Sequence, residues 1–321
     1  MTYPEFIKEW RNGDTALQVR TSGSTGIPKC ISLPKEFMRK SALRTASFFH
    51  LDKFSRLHSC ISPDFIGGKM MAVRAELIGC CLSWEKPSNR PLEAFPKDET
   101  IDLLAVVPSQ MSYIATHSEN LPNIRNIIVG GGPISDMLRR KIIESHLMAF
   151  ETYGMTETAS HIALRKIDGT LSPFKVFDGI SLSLDERGCL VIAFDTGERI
   201  ATNDMVKLLS HGEFMVLGRY DDVIITGGRK VHPIDVENRI AKIINIPFMV
   251  AALSDEKWGE KVVLVVEGRM KDEEKERVLN QMRSLLGAYE VPKEIISVEA
   301  LPRTGNGKLK RKELAHCVFL Y

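Results

Sequence analysis

Apolar and polar positions follow three different rhythms along the chain. From residue 35 to 145, segments with apolar positions at helical spacing alternate with short continuous apolar runs. Helices are expected at 35–49 ("KEFMRKSALRTASFF"), 67–79, 109–118 and 135–145, and buried strands at 101–107 and 124–129. Ahead of them, Leu17–Arg20 and Cys30–Leu33 read as two short strands joined by a polar loop. Such alternation predicts an α/β fold, a large α/β sandwich domain around a mostly parallel sheet. After about residue 170 short strands (181–184, 189–194, 214–217) sit between Asp, Glu and Gly turns, which predicts a small β subdomain. "GRYDDVIITGG" (218–228) marks the third change. Beyond it a helix (233–244), two strands (249–254, 261–267), a helix (271–286) and a basic tail read as a compact α+β C-terminal domain. The expected domains are 1–219 and 220–321, with the boundary at Arg219–Asp221.

Composition narrows the function classes. The 321 residues are 44% hydrophobic and 26% charged, the profile of a soluble globular protein. A net charge of +2 argues against a dedicated nucleic-acid or membrane-surface protein. No run of 18 apolar residues exists, and Met1-Thr2-Tyr3-Pro4-Glu5 lacks the basic start and apolar core of a signal peptide, so a cytoplasmic protein without membrane insertion is expected. The six cysteines show no CxxC spacing, so neither a zinc site nor a disulfide framework is indicated.

The candidate chemistry begins with "TSGSTGIPK" (21–29). Thr21, Ser22, Ser24 and Thr25 supply hydroxyls, Gly23 and Gly26 let the backbone approach a ligand, and Lys29 adds a positive charge. A polyphosphate fits such a loop; a polar turn between strands would also explain it. The spacing is not that of a Walker A element, because Lys29 follows Ile27-Pro28 and Cys30 stands where a Mg²⁺-binding hydroxyl belongs. "VGGGPIS" (129–135) brings Gly131 and Gly132 between a strand and a helix, where a flat base could lie on the backbone. "TYGMTETAS" (152–160) groups Tyr153, Gly154, Thr156 and Glu157. A carboxylate beside a hydroxyl suits a Mg²⁺ ion that also touches phosphates, whereas a loop entering a capped helix is the bland alternative. Asp204 in "TND" could accept ribose hydroxyls, and Lys308 follows two glycines in a basic tail that reads otherwise as a solvated terminus.

None of these motifs decides alone; together and in order they do. The sequence resembles the adenylate-forming superfamily of acyl-CoA synthetases, nonribosomal adenylation domains and luciferases through "TSGSTGIPK", "GGGPIS", "YGMTET", "TND", "GRYDDVIITGGRKVHPIDVE" and "PRTGNGKLKRKEL". The resemblance implies an ATP-dependent enzyme that joins a carboxylic acid to AMP, releases pyrophosphate and passes the acyl group to a thiol, usually that of CoA. It implies the Thr21–Lys29 loop on the β- and γ-phosphates, Thr156 and Glu157 at the α-phosphate and Mg²⁺, and Gly131, Gly132, Tyr153 and Gly154 around adenine. Asp204 and Arg219 would hold the ribose, and Lys308 would be the catalytic lysine. The same resemblance implies a mobile C-terminal domain hinged at Asp221, with Gly227, Gly228 and Lys230 facing the thioester-forming side. It also implies a shortened large domain, whose acyl pocket a second copy in a homodimer could complete.

Within that superfamily, "VVPSQM" (106–111) and "YGMTETASHIALR" (153–165) look most like the o-succinylbenzoate–CoA ligases of menaquinone biosynthesis. That acid has two carboxylates, so one must react while a cation holds the other. Lys69 and Arg165 are the candidate cations, and either could be a simple surface charge. His161 is a candidate to line the acyl site or an ordinary polar helix residue. Two other readings stay open: an aryl- or amino-acid adenylating enzyme serving a carrier protein, and a non-catalytic nucleotide-binding relative. The absence of a carrier motif after residue 314 favours free CoA, and the joint presence of Lys308, Glu157 and the loop favours catalysis.

Overall fold

The computed structural model describes residues 1–21, 29–209, 212–303, 309 and 311. Two compact units emerge: one from residues 1–181, 192–200 and 210–213, the other from 182–191, 201–209 and the chain from Phe214 on. The division runs through the small β subdomain, ahead of the 219/220 position expected from sequence.

In the first unit α1 (Tyr3–Trp10) opens with a capping box between Thr2 and Glu5 and buries Tyr3, Phe6 and Trp10. Strands β1 (Ala16–Arg20) and β2 (Cys30–Pro34) pair antiparallel, and α2 (Lys35–Phe48) follows directly. Then come β3 (Arg56–Ser59), α3 (Ile66–Ile78), β4 (Cys81–Trp84), β5 (Thr100–Ile101), β6 (Leu103–Val106) and α4 (Pro108–Thr116). β7 (Asn123–Ile124), β8 (Ile127–Val129), α5 (Asp136–Glu144), β9 (Ala149–Met155), β10 (Ser160–Lys166) and β11 (Phe174–Val176) complete the series.

The main sheet of this unit has the order β11-β10-β9-β8-β6-β3-β4. From β9 to β4 its strands are parallel, while β10 and β11 run antiparallel. Both faces are covered, which explains the unbroken apolar runs. Leu104 and Val106 pack with Met111, Leu138 and Ile142 on one side, and Leu103 and Ala105 with Phe49, Met71 and Ala75 on the other.

Two expected strands are each divided, and one side chain does it. Asp102 interrupts 101–107 because its carboxylate accepts the Arg56 N–H at 2.7 Å and Arg125 Nη1 at 2.7 Å. Asn126 donates to the Asp102 carbonyl, so β5 and β7 pair as a small sheet apart from β6 and β8.

Along the small β subdomain run β12 (Ile180–Leu184), β13 (Cys189–Phe194), β14 (Arg199–Leu208) and β15 (Glu213–Arg219). The second unit continues with β16 (Ile224–Thr226), β17 (Arg229–Val231), α6 (Pro233–Ile240), β18 (Phe248–Asp255), β19 (Gly259–Glu267), α7 (Asp272–Leu285) and β20 (Glu294–Val298). Its sheet has the order β17-β16-β19-β18, with β20 parallel to β19. Val262, Leu264 and Val266 of β19 face Val236, Ile240, Val278 and Met282 of the two helices. Val263 and Val265 point the other way, against Met249, Val298 and Leu301.

Candidate active site

In the first unit, the neck of the hydroxyl-rich loop is closed by a reciprocal pair. The Thr21 N–H donates to the Lys29 carbonyl at 2.8 Å, and the Lys29 N–H donates to the Thr21 hydroxyl at 3.1 Å. The loop therefore joins strand to strand, unlike a Walker A element, and leaves the Lys29 side chain exposed. Ser22, Gly23, Ser24, Thr25 and Gly26 lie outside the described residues, as does Lys308.

Gly131 and Gly132 follow β8 in a turn that needs φ +86° at Gly131. A Cβ on Gly130 would fall 2.6 Å from Thr152 Oγ1, so this turn lies against β9. Tyr153 comes next on β9, half-buried, its ring centroid 5.8 Å from that of Phe174. Glycine turn and tyrosine thus meet at the carboxyl ends of adjacent parallel strands, the usual ligand crevice of an α/β sheet. Gly154 has a steric reason of its own: a Cβ there would lie 2.3 Å from the Ser160 carbonyl oxygen.

Beyond Gly154 no helix begins. Residues 156–159 make a turn that returns the chain as β10, so the capped-helix alternative for "TYGMTETAS" is corrected to a hairpin. Thr158 holds the turn from inside: its hydroxyl accepts the Met155 N–H at 2.9 Å, and the Ala159 N–H donates to the Thr156 carbonyl at 3.0 Å. Ser41 of α2 donates to the Ala159 carbonyl at 2.8 Å, which ties the hairpin to the helix that follows the hydroxyl-rich loop. Thr156 is left half-buried and Glu157 exposed at the tip. An exposed carboxylate beside a hydroxyl, held by a turn anchored from beneath, fits a Mg²⁺ that takes few protein ligands and several phosphate oxygens.

The three tentative substrate residues are placed differently from one another. His161 lies on β10, and the polar-helix alternative is corrected to a buried strand position. Its Nε2 is 3.0 Å from Thr45 Oγ1, and burial, aided by the charge of Arg74, holds the ring well below the ordinary imidazole pKa. Lys69 is buried under α1, with Nζ 4.7 Å from the Phe6 ring centroid and 3.2 Å from Met1 Sδ. Burial holds its ammonium below the ordinary lysine value against the pull of Glu9 and Asp64. Arg165 is no surface charge: its Nε donates to Glu151 Oε2 at 2.8 Å, its guanidinium stacks on Phe174 at 4.3 Å, and Arg139 donates to the same oxygen at 2.8 Å.

Arg74 of α3 is the residue that sequence reasoning missed. It is 1% exposed, and among the described residues its Nε and Nη2 have no hydrogen-bond partner. Among the described residues Nη1 has only the Met71 sulfur, at 3.6 Å, and burial pushes the guanidinium pKa down to about 9. α3 packs against β10, where His161 feels its charge. A buried cation of this kind costs on the order of several kcal/mol in lost solvation unless an anion meets it. The sequence signal was one arginine inside the apolar helical run "MMAVRAELI".

The second unit holds the remaining predicted residues. Asp204 and Arg219 are cross-strand partners on β14 and β15, with Arg219 Nη1 3.1 Å from Asp204 Oδ1. Asp221 is exposed in the short turn after β15 and accepts Asn203 Nδ2 at 3.0 Å. Gly227 and Gly228, at φ +55° and +74°, form the two-residue turn between β16 and β17, where a type I′ hairpin requires positive φ at both positions. A Cβ on Gly227 would also lie 2.7 Å from the Trp258 ring. Lys230, on β17, is exposed.

Comparison with known proteins places these features in a context. The chain matches the family model described as AMP-binding enzyme over residues 4–198, and that described as AMP-binding enzyme C-terminal domain over 247–308. A 2-succinylbenzoate–CoA ligase of Listeria monocytogenes is 29% identical over 97% of this chain and 72% of its own length. One from Bacillus cereus strain Q1 is 26% identical over 98% of this chain and 72% of its own. Among solved structures, an acyl-CoA synthetase (AMP-forming)/AMP-acid ligase II-like protein from Dyadobacter fermentans is 31% identical, with TM-score 0.63, covering 97% of this chain and 92% of that one. The fold is shared with o-succinylbenzoate coenzyme A synthetase from Bacillus subtilis, solved with ATP and magnesium ion, at TM-score 0.79 and 20% identity over 93% and 69% of the two chains.

Proposed function

Because the chain belongs to the AMP-binding enzyme family, we propose that it is an AMP-forming acid–thiol ligase converting o-succinylbenzoate to o-succinylbenzoyl-CoA in menaquinone biosynthesis. Curated relatives carrying that activity in their names support the acid, and the geometry of Arg74 carries the choice. A dicarboxylate presents one carboxylate for reaction and a second that can accept from the two unpartnered guanidinium nitrogens. A fatty acid would leave them unpaired, so the site discriminates by an unmet hydrogen-bonding demand. Arg74 thereby takes the role that sequence reading offered to Lys69 and Arg165: Arg165 is paired with Glu151, and Lys69 lies under α1 against the Phe6 ring and the Met1 sulfur. Among the described residues no helix is long and apolar enough to cross a membrane; cytoplasmic location and a homodimer belong to this same reading.

In the first half-reaction a carboxylate oxygen bonds to the α-phosphorus of ATP as the bond to pyrophosphate breaks. Two anions must approach, so positioned cations and donors supply most of the rate. Thr21 to Lys29 would hold the leaving β- and γ-phosphates, with Thr156 at the α-phosphate. Glu157 would hold the Mg²⁺, which neutralises phosphate charge when bound. Gly131, Gly132, Tyr153 and Gly154 would frame adenine, and Asp204 with Arg219 the ribose hydroxyls. Lys308 would place its ammonium between carboxylate and phosphate. In the second half-reaction the CoA thiol loses its proton, its sulfur bonds to the acyl carbon, and AMP leaves. Rotation at Asp221 would withdraw Lys308 and bring Gly227, Gly228 and Lys230 to the thiol side.

The deciding experiment measures CoA-dependent AMP formation with o-succinylbenzoate, benzoate and a medium-chain fatty acid, with Lys308→Ala as control. We expect turnover with o-succinylbenzoate alone and a loss of about a hundredfold or more in the variant. Turnover with another acid would keep the adenylation chemistry and remove the acid assigned. Silence with every acid despite ATP binding would favour a non-catalytic relative, and AMP formation that needs a carrier protein instead of CoA would favour that alternative.

A further inference from the structure

A second polar cluster lies in the first unit, at the carboxyl ends of β3 and β4, and the mechanism does not use it. The parallel register sets His58 opposite Ser83, and just past the two strand ends Cys60 and Glu85 lie within reach of each other and of His58. Ligand atoms of His58, Cys60 and Glu85 all lie within 4.8 Å of one another, and both His58 and Cys60 are buried.

The hydrogen bonds prepare His58 for a cation. Ser83 Oγ donates to the Leu57 carbonyl at 3.3 Å, so its oxygen is free to accept from His58 Nδ1–H at 2.8 Å. With Nδ1 as the donor, Nε2 keeps its lone pair. The residue is 2% exposed, and Nε2 has no partner among the described residues, with Glu85 Oε2 at 3.9 Å the nearest carboxylate. A hydrogen bond from the ring nitrogen that does not hold the metal orients metal-ligating histidines. The neighbours are equally fixed. Leu92 N–H donates to both Glu85 oxygens (3.0 and 3.1 Å), Gln110 Nε2 donates to the Cys60 carbonyl at 2.8 Å, and Phe95 meets the His58 ring edge-on at 4.9 Å.

We propose that His58 Nε2, Cys60 Sγ and Glu85 form a three-ligand zinc site that staples the ends of β3 and β4 to the segment between Glu85 and Phe95. Sulfur, imidazole nitrogen and carboxylate are the donors Zn²⁺ prefers, and three protein ligands leave a tetrahedral position for water. On binding, the Cys60 thiol releases its proton to solvent and a Zn–S bond forms. Zn²⁺, thiolate and carboxylate then sum to zero charge, which suits a buried place. No CxxC spacing announces the site, because the sheet register assembles it from His58-x-Cys60 and a residue on the next strand.

The test titrates the full chain with Co²⁺ in Mg²⁺-free buffer and follows the thiolate-to-cobalt charge-transfer band, then displaces Co²⁺ with Zn²⁺. The expected result is one equivalent bound with the band present. Cys60→Ser should abolish the band and His58→Gln should weaken binding by about tenfold or more, while Cys81→Ser changes neither. No band in the unsubstituted chain, or a band unaltered by Cys60→Ser, overturns the site. If Cys60→Ser does not fold, X-ray absorption on the zinc-loaded protein replaces it: one sulfur with lighter donors supports the site, and a sulfur-free shell overturns it.

Discussion

Glu151 and His161 stand on adjacent strands of one hairpin, and each has a buried arginine near it, yet the two arginines meet different partners. Around Glu151 one carboxylate oxygen serves two cations: Arg139 and Arg165 both donate to Oε2 at 2.8 Å and Phe174 covers Arg165, while Arg139 Nε and Nη1 have no partner among the described residues. Near His161 the residue is neutral, and Arg74 has no carboxylate within reach among the described residues. A cation that has found its anion inside the fold works for the fold. One buried without an anion raises the energy of the empty site, and a ligand carboxylate recovers that energy on binding. Exposure alone would not have separated the two, since Arg139 and Arg74 are both buried.

Glu151→Gln tests the compensated side and has the largest expected effect. It leaves two buried guanidinium groups around a neutral amide, so stability should fall by about 3–5 kcal/mol. Urea unfolding followed by circular dichroism measures it; an unchanged midpoint would show that the cluster is not structural. Arg74→Met should do the opposite. It removes an uncompensated charge with little change of volume, so the same unfolding curve should be unmoved or shifted upward. Its cost should appear in kcat/KM for o-succinylbenzoate, a loss of about a hundredfold, the worth of a charged hydrogen-bonded contact of about 2–3 kcal/mol. Full activity in Arg74→Met would place the second carboxylate elsewhere.

The contrast also shows where sequence reading succeeds. Helix 35–49, helix 67–79 and the strands flanking the hydroxyl-rich loop were legible because period and punctuation are local properties, and the structure has α2, α3, β1 and β2 there. The divisions at Asp102 and after "YGMTET" were not legible. One depends on a carboxylate reaching Arg56 and Arg125, the other on Thr158 and Ser41 closing a turn. Arg165 and Lys69 looked like free cations for the same reason, because a string of letters does not show Glu151 beside one or Phe6 beneath the other. The order of six motifs identified the chemistry, whereas pairing decided which arginine was left for a ligand.

The smallest expected effect concerns protons. Burial keeps His161 neutral in the fold at pH values where an unfolded histidine, with its ordinary pKa of 6.5, takes a proton. Below 6.5 the unfolded chain therefore binds more protons, and stability present above that pH is lost as pH falls. Each such histidine contributes a slope of up to about 1.4 kcal/mol per pH unit. His58, pushed down to about 4 by burial, contributes likewise, so metal-free protein carries two such groups. His161→Gln keeps a polar group for Thr45 and removes one of them, so the loss of thermal midpoint between pH 6.5 and pH 5 should shrink by about half. Arg74→Met removes only the part of the His161 shift that comes from the arginine's charge, so the ring, followed by NMR, should titrate higher than in the unsubstituted protein while burial, the larger cause, keeps it below the ordinary value. A His161 ring titration unmoved by Arg74→Met would show that the arginine and the histidine do not share one electrostatic site, and the contrast between the two arginines would reduce to hydrogen bonding alone.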